Sequence, residues 1–146
     1  MRDDLLVAIV EDEASLREAL EALFRSTGLR TESFASAQAF LRSGCECRAG
    51  CLILDVGLPG MSGLELQSHL ADMQSHLTSD GVRVPIVFIT AQADSDGRMQ
   101  ERAVRAGATA FLHKPFRANE LLSAVHSALD QYARDRFGGQ GERKRG

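Results

Sequence analysis

Residues 51–63, CLILDVGLPGMSG, contain an apolar run, an aspartate that ends it and a glycine-rich loop. The run is too short for a helix of ordinary length and is apolar on both faces, which is typical of a buried strand in a parallel sheet. Pro59, Gly60 and Gly63 are typical of a loop. The sequence therefore predicts a buried strand that ends at Asp55, followed by a loop and then a helix.

Three other apolar runs have the same form, because each ends at a polar or charged residue. They are LLVAIV at residues 5–10 before Glu11 and Asp12, IVFI at residues 86–89 before Thr90, and AFLH at residues 110–113 before Lys114 and Pro115. Helical periodicity between the runs indicates strands alternating with helices, as in a parallel sheet with crossover helices. Because ligands of such open sheets bind at the carboxyl ends of the strands, the residues after these runs are predicted to form one site.

The other elements follow from periodicity and from glycine stop signals. A polar fourth helix, with few apolar residues to anchor it, is a candidate mobile element. Asn119 is a possible N-cap of the last helix. Helices are predicted at residues 13–27, from the Ser36 cap to Ser43, after Gly63, at residues 94–106 and at residues 118–134. The apolar contacts of the fourth helix are expected from Met99, Ala103, Val104 and Ala106. An edge strand is predicted at residues 30–34, and the last two strands at residues 85–90 and 109–113.

Length and charge set broad limits. A chain of 146 residues with a net charge of −3 is about one domain long and gives no global sign of binding to nucleic acid or to a membrane surface. No apolar stretch approaches the roughly 18 residues of a membrane span, and the N-terminus lacks a secretory signal pattern, so a cytoplasmic protein is expected. Residues 1–134 are predicted to form the domain, and residues 135–146, rich in glycine and charge, a disordered tail or truncated linker.

The cysteines and histidines show no metal-binding pattern. No CxxC pair exists and no histidine is close to the cysteines in sequence, so buried or loop thiols are favoured over structural zinc, and the role of the cysteines stays open. The histidines are interpreted as surface or core residues. These residues are Cys45, Cys47 and Cys51, and His69, His76, His113 and His126.

The predicted site is rich in oxygen ligands. Three carboxylates at neighbouring strand ends would repel one another in a partly buried cleft unless a cation is present. Mg²⁺, or Mn²⁺, prefers oxygen ligands, so Asp12 and Asp55 are predicted to be direct metal ligands, with the backbone carbonyl of Gly57. Glu11 is predicted to act through a water molecule.

The same site has groups suited to phosphoryl transfer. Lys114 supplies a positive charge for a phosphate and Thr90 a hydroxyl donor. Together with a divalent cation they predict transfer of a phosphoryl group onto a carboxylate, with Asp55 as acceptor. No G-x-x-x-x-G-K pattern is present, so a nucleotide is not expected to be the phosphoryl donor.

Each of these residues also has a simpler interpretation. Asp12 and Asp55 could be helix or turn caps, Thr90 a strand-end hydroxyl, Phe111 a core aromatic and Lys114 a solvated charge. Suitable residue types at four strand ends, in a consistent order, would rarely arise from capping alone. Their joint placement therefore favours the functional interpretation.

The acidic pair, LILDVGLPGMSG, Thr-Ala after the fourth run and Lys-Pro-Phe resemble the receiver domain of bacterial two-component response regulators, over about residues 5–134. The segment ESFASAQAFL is most similar to receivers that precede a LuxR-type helix-turn-helix domain, which is missing here. The resemblance implies a doubly wound, flavodoxin-like five-stranded parallel sheet of order 2-1-3-4-5, with helices on both faces. It also implies a cis Lys114-Pro115 bond.

The resemblance further implies a signalling phosphoacceptor rather than an enzyme with a separate substrate. A sensor histidine kinase or phosphotransfer protein would phosphorylate Asp55 in a Mg²⁺-dependent reaction, and autodephosphorylation would follow. Thr90 and Phe111 match the switch pair of the family, and Gly57 and Gln92 match positions that tune phosphoryl lifetime. The face made by the fourth helix, fifth strand and fifth helix would then regulate a partner or a DNA-binding output domain. A homodimer could form through the same face.

Two rival functions have features that discriminate them. A phosphohydrolase with an aspartate nucleophile would need an acid-base aspartate two residues after Asp55, where this chain has Gly57. A degenerate receiver would be a pure interaction module that no longer accepts phosphate. The presence of Asp55, Thr90 and Lys114 argues against that alternative.

Overall fold

A five-stranded sheet forms the centre of the structure, a computed structural model that describes residues 6–45, 48–77, 84–92 and 97–135. All neighbouring strands are parallel, and the order is β2-β1-β3-β4-β5, which confirms the predicted doubly wound sheet. The strands are β1 Leu6–Val10, β2 Arg30–Phe34, β3 Ala49–Asp55, β4 Ile86–Thr90 and β5 Ala110–His113. The helices are α1 Ala14–Ser26, α2 Ala37–Ser43, α3 Gly63–Leu77, α4 Arg98–Arg105 and α5 Ala118–Ala133.

The strands are apolar on both faces because each face of the sheet is covered by helices. On one face, alternate residues of β1, β3 and β4 pack with Leu20 and Phe24 of α1 and with the apolar side of α5. On the other face they pack with α2 and α3 and with Ala103 of α4. Burial of both faces explains why these runs have no alternation of polar and apolar residues.

The sheet order places the ends of β1 and β3 side by side. Val10, the last residue of β1, pairs in register with Leu54 of β3, so Glu11 and Asp55 follow at neighbouring positions. After β1 and after β3 the chain continues to opposite sides of this strand pair, because β2 lies next to β1 and β4 lies next to β3. This is the topological switch point at which open α/β sheets bind ligands.

Helix termini largely follow the predicted signals. Ser36 caps α2, accepting a hydrogen bond from the backbone N–H of Ala39 at 3.1 Å. Gly44 ends this helix with a positive φ of 74°. The N-cap position of α1 is Glu13, so the interpretation of Asp12 as the cap of this helix is wrong.

Two predictions about the later helices are wrong. The N-cap of α5 is Arg117 rather than Asn119, and the Glu120 side chain accepts a hydrogen bond from the Arg117 backbone N–H at 2.9 Å. Val104 of α4 is 51% exposed rather than packed, because Ala103 occupies the buried side of this short helix.

The third strand is longer than predicted. It begins at Ala49 rather than Cys51, with a register shift against β1 between the pairs Leu6↔Ala49 and Val7↔Cys51. A bulge at Gly50 interrupts the strand pattern, so no apolar periodicity in the sequence indicated where this strand begins. The predicted strand residue Leu5, the start of the fourth helix at Asp94 and residues 136–146 of the predicted tail lie outside the described residues.

No described helix is long and apolar enough to cross a membrane.

Gly63 lets α3 begin against the end of β3. A Cβ atom at this position would lie 2.5 Å from the backbone oxygen of Asp55 and 2.9 Å from Cα of Val56. Because both neighbours are backbone atoms, they cannot move aside cheaply. The glycine therefore fixes how closely the helix approaches the loop that follows Asp55.

We expect Gly63→Ala to lower the free energy of unfolding by about 1–3 kcal/mol, since overpacking forces the backbone to shift. Gly57→Ala is the matched control: there a new Cβ meets the end of the exposed Gln92 side chain, at 3.0 Å. This control should lose less than about 0.5 kcal/mol. Urea denaturation of both variants checks the prediction, and equal losses would contradict it.

Candidate functional site

Three carboxylates meet at the carboxyl edge of the sheet. Glu11 and Asp12 follow β1, and Asp55 is the last residue of β3. One oxygen atom from each lies within 4.8 Å of the other two. Glu11 and Asp55 are buried, whereas Asp12 is exposed. The structure thus brings together the three acidic residues that the sequence indicated as a metal site.

Lys114 lies between two of these carboxylates. Its Nζ atom is 2.9 Å from Oε1 of Glu11 and 3.6 Å from Oδ2 of Asp55. The lysine follows β5, and its backbone N–H donates to the carbonyl oxygen of Thr90 at 2.7 Å. The Lys114-Pro115 bond is cis, as the resemblance implied. The site therefore contains a cation close to the carboxylate expected to accept phosphate.

Backbone groups hold the buried carboxylates in place. The N–H of Glu13 donates to Oε2 of Glu11, and the N–H of Gly57 donates to Oδ1 of Asp55, both at 3.0 Å. Arg17 adds a bond that the sequence did not reveal, from Nη1 to the carbonyl oxygen of Glu11 at 2.8 Å. No motif connects an arginine on the second turn of α1 with this carbonyl.

Burial and charge shift two pKa values in the site. Burial raises the pKa of Glu11 above its usual 4.5, and the hydrogen bonds from Glu13 and Lys114 offset only part of this increase. Burial by itself would lower the pKa of Lys114, but the bond to Glu11 and the charges of Asp55 and Glu11 outweigh it, so this pKa lies above 10.5. Lys114 therefore stays charged at neutral pH.

Thr90 and Gln92 form the neighbouring wall of the site. Thr90 is fully buried, and its Oγ1 atom accepts a hydrogen bond from the backbone N–H of Gln92 at 2.9 Å. Because Oγ1 acts there as an acceptor, its hydrogen remains available for donation. The Gln92 side chain reaches Gly57, where a Cβ atom would lie 3.0 Å from Nε2. Gln92 thus lies beside the residue whose N–H binds Asp55.

Phe111, on β5, belongs to the core cluster on the sheet face covered by α2, α3 and α4, and not to the group of carboxylates. It is 9% exposed, and its ring centroid is 5.9 Å from that of Phe88. The ring of His113 also lies close to Phe111, at 5.3 Å between ring centroids and with an interplanar angle of 62°. The sequence analysis interpreted His113 only as a surface or core residue and did not predict this contact. The contact could have been predicted, because residues two apart on a strand lie on the same face.

The described cysteines form no metal site. Cys45 and Cys51 are buried thiols, and burial raises the pKa of Cys51 to about 12. Among the residues that the structure describes, the acidic cluster is the only group of three or more potential ligands. These residues thus give no support to structural zinc, and Cys47 lies outside them.

Comparison with known proteins settles the family. Residues 7–126 match the response regulator receiver domain model. This chain belongs to the response regulator receiver family. It is 44% identical to response regulator protein TmoT of Ectopseudomonas mendocina over 124 residues, 85% of this chain and 52% of TmoT. It is 33% identical to transcriptional regulatory protein FixJ of Azorhizobium caulinodans over 133 residues, 91% of this chain and 59% of FixJ.

Solved receiver structures agree with this assignment. Response regulator StyR superposes with a TM-score of 0.79 at 38% identity, over 97% of this chain and 67% of StyR. FixJ-N superposes with a TM-score of 0.74 at 32% identity, over 87% of this chain and 94% of FixJ-N. The receiver domain spans about half the length of the curated relatives it matches. The resemblance identified from the motifs is therefore confirmed, and the chain is a signalling protein.

We expect Lys114→Met, in metal-free buffer at pH 7, to lower the free energy of unfolding by about 1–2 kcal/mol, because it leaves the buried Glu11 carboxylate without its cation. The pKa of Glu11, already above 4.5, should rise further. The loss should therefore be largest at neutral pH and shrink as the pH falls through this pKa, where Glu11 becomes protonated.

Arg105→Met is the matched control, since Arg105 pairs with Glu101 at 2.8 Å on the exposed surface of α4. Removing an exposed pair should cost less than about 0.5 kcal/mol, with little dependence on pH. Urea denaturation of both variants at several pH values provides the measurement. A Lys114→Met loss that stays constant between pH 7 and pH 4 would contradict the expected coupling to Glu11.

Proposed function

We propose that Asp55 accepts a phosphoryl group from a histidine of a sensor histidine kinase or phosphotransfer protein. The observation that carries this proposal is the position of the Asp55 carboxylate, within 4.8 Å of two acidic side chains and 3.6 Å from Lys114. Membership of the receiver family supports the same chemistry.

The donor set fits a hard divalent cation such as Mg²⁺ or Mn²⁺, which receiver domains generally bind. Asp12 and Asp55 would be direct ligands, together with the carbonyl oxygen of Gly57. Both oxygens of Glu11 already accept hydrogen bonds, from Glu13 and Lys114, which supports a role for Glu11 through water. When bound, the ion would neutralise charge on the phosphoryl oxygens.

The transfer itself requires one oxygen of Asp55 to attack phosphorus. The new O–P bond forms as the P–N bond to the donor imidazole breaks, and the bonding electron pair returns to the imidazole nitrogen. Lys114 would bind a phosphoryl oxygen and so stabilise the added negative charge. The Thr90 hydroxyl, whose hydrogen is available, would donate to another oxygen. Gln92, lying over Gly57, would control access of water and so tune the phosphoryl lifetime.

Phosphorylation would then change the surface that contains α4, β5 and α5. The new charge and acceptor oxygens would draw Thr90 toward Asp55, and Phe111 would fill the vacated space. That surface would form a homodimer or regulate a partner. The relatives include transcriptional regulatory proteins, which supports a DNA-binding output domain beyond residues 1–134, joined through residues 135–146. Nucleic acid would bind that domain rather than the receiver.

The phosphohydrolase alternative has less support. Its acid-base aspartate would stand at Gly57, and the side chain next to this glycine is the amide of Gln92, which cannot act as a general acid near neutral pH. The site thus has an acceptor carboxylate without a group suited to protonate a leaving alkoxide. An aspartyl phosphate, rather than the turnover of a phosphate ester, is the product that these residues favour.

Incubation with acetyl phosphate and Mg²⁺ should add one phosphoryl group to the protein. The adduct should be absent without Mg²⁺ and absent in Asp55→Asn, because the amide is a poor nucleophile and a weaker metal ligand. Intact-mass spectrometry provides the measurement, and circular dichroism shows whether the variant is folded. A folded wild-type protein that binds Mg²⁺ but forms no adduct would support the degenerate receiver instead.

Thr90→Ala should still be phosphorylated on Asp55 but should not transmit the change to α4, since it lacks the hydroxyl that contacts the phosphoryl group. Thr90→Ser keeps that hydroxyl and serves as the matched control. Backbone amide NMR spectra with beryllofluoride and Mg²⁺ provide the measurement. Equal shifts of the α4 signals in both variants would exclude the proposed role of Thr90.

A further inference from the structure

Four side chains of β4 and β5 occupy one face of the sheet as two cross-strand pairs. Phe88 pairs in register with Phe111, and Thr90 pairs with His113. Residues two apart on a strand share a face, so His113 lies beside Phe111 on its own strand and opposite Thr90 on the next. The imidazole therefore neighbours both residues of the proposed switch pair.

The three rings on this face form a row that runs from the core to the surface. Phe88 is fully buried, Phe111 is 9% exposed and His113 is exposed. Phe111 contacts Phe88 on the core side, and His113 meets it edge-on at 5.3 Å. Aromatic pairs favour such edge-to-face geometry. The His113 ring thus covers Phe111 from the solvent side.

We propose that His113 is a positioning residue that holds the Phe111 ring in the orientation seen in this structure. This inference rests on the proposed switch, in which Phe111 moves further inward when Thr90 moves toward the phosphoryl group. The edge-on contact exists with the ring in its starting orientation, so it stabilises that orientation relative to the one further inward. Because both changes belong to one equilibrium, a residue that favours the starting orientation weakens phosphoryl binding at Asp55.

The proposed role of His113 requires an aromatic ring at this position and no particular protonation state. His113→Phe keeps the edge-to-face contact, whereas His113→Ala removes the ring and leaves Phe111 open to water. His69→Ala is the control, because it removes an exposed histidine from α3. The three variants separate the loss of this ring from the loss of any surface histidine.

The test measures beryllofluoride affinity in the presence of Mg²⁺ by titration of each full-length variant. His113→Ala should bind about three- to tenfold more tightly than wild type, the range expected for loss of one aromatic pair from the starting orientation. His113→Phe and His69→Ala should stay within about twofold of wild type. A second readout needs no ligand: a soluble paramagnetic agent should broaden the Phe111 ring signal more strongly in His113→Ala. That signal is assigned by its absence in Phe111→Leu.

The outcomes are distinct. Tighter binding with a more accessible Phe111 ring in His113→Ala, both reversed in His113→Phe, supports the inference, whereas weaker binding in His113→Ala overturns it. Unchanged affinity and unchanged ring protection in His113→Ala overturn it while leaving the proposed function intact, even if the urea midpoint falls, because a merely structural residue affects stability alone. Failure of the wild-type protein to bind beryllofluoride overturns the proposed function, and the positioning role with it.

Discussion

The placement of Lys114 between Glu11 and Asp55 is the constraint on which the site depends. Both carboxylates are buried at the ends of adjacent strands, where little water screens their repulsion. The ammonium group, 2.9 Å from one and 3.6 Å from the other, offsets that repulsion. It reaches them because β5 ends at the same edge of the sheet, two strands beyond β3. The strand order therefore determines that Lys114 can offset the repulsion between the two carboxylates.

Several contacts hold the backbone and the carboxylate of Asp55 in place. Asp55 pairs with Ile89 of β4, and its Oδ1 atom accepts the N–H of Gly57. Helix α3 begins against the carbonyl oxygen of Asp55 because Gly63 has no side chain. A carboxylate held in this way loses little further freedom when it reacts. Rigid strand ends thus prepare the site, while the change that follows phosphorylation must occur elsewhere.

The fourth helix is suited to that change because only one residue within Arg98–Arg105 is buried. Ala103 is its buried residue, and Gln67 of α3, itself buried, donates from Nε2 to the Ala103 carbonyl oxygen at 3.0 Å. Ala103 and Phe111 belong to the same core cluster, so the position of the Phe111 ring bears on the helix. Elements with few buried contacts are the ones that move at low free-energy cost.

Local sequence determined which residues could form strands and helices, and which polar groups would follow the strands. Apolar runs, the Ser36 cap and the glycine stop signals sufficed for this, and the order of strands and helices required the ends of the strands to meet at one edge. The contacts that join distant segments could not be predicted in this way. Arg17 on the Glu11 carbonyl, Gln67 on Ala103 and His113 on Phe111 depend on the distances and directions of side chains after packing. Periodicity and capping act over a few residues, whereas only the folded chain decides which side chains from different elements touch.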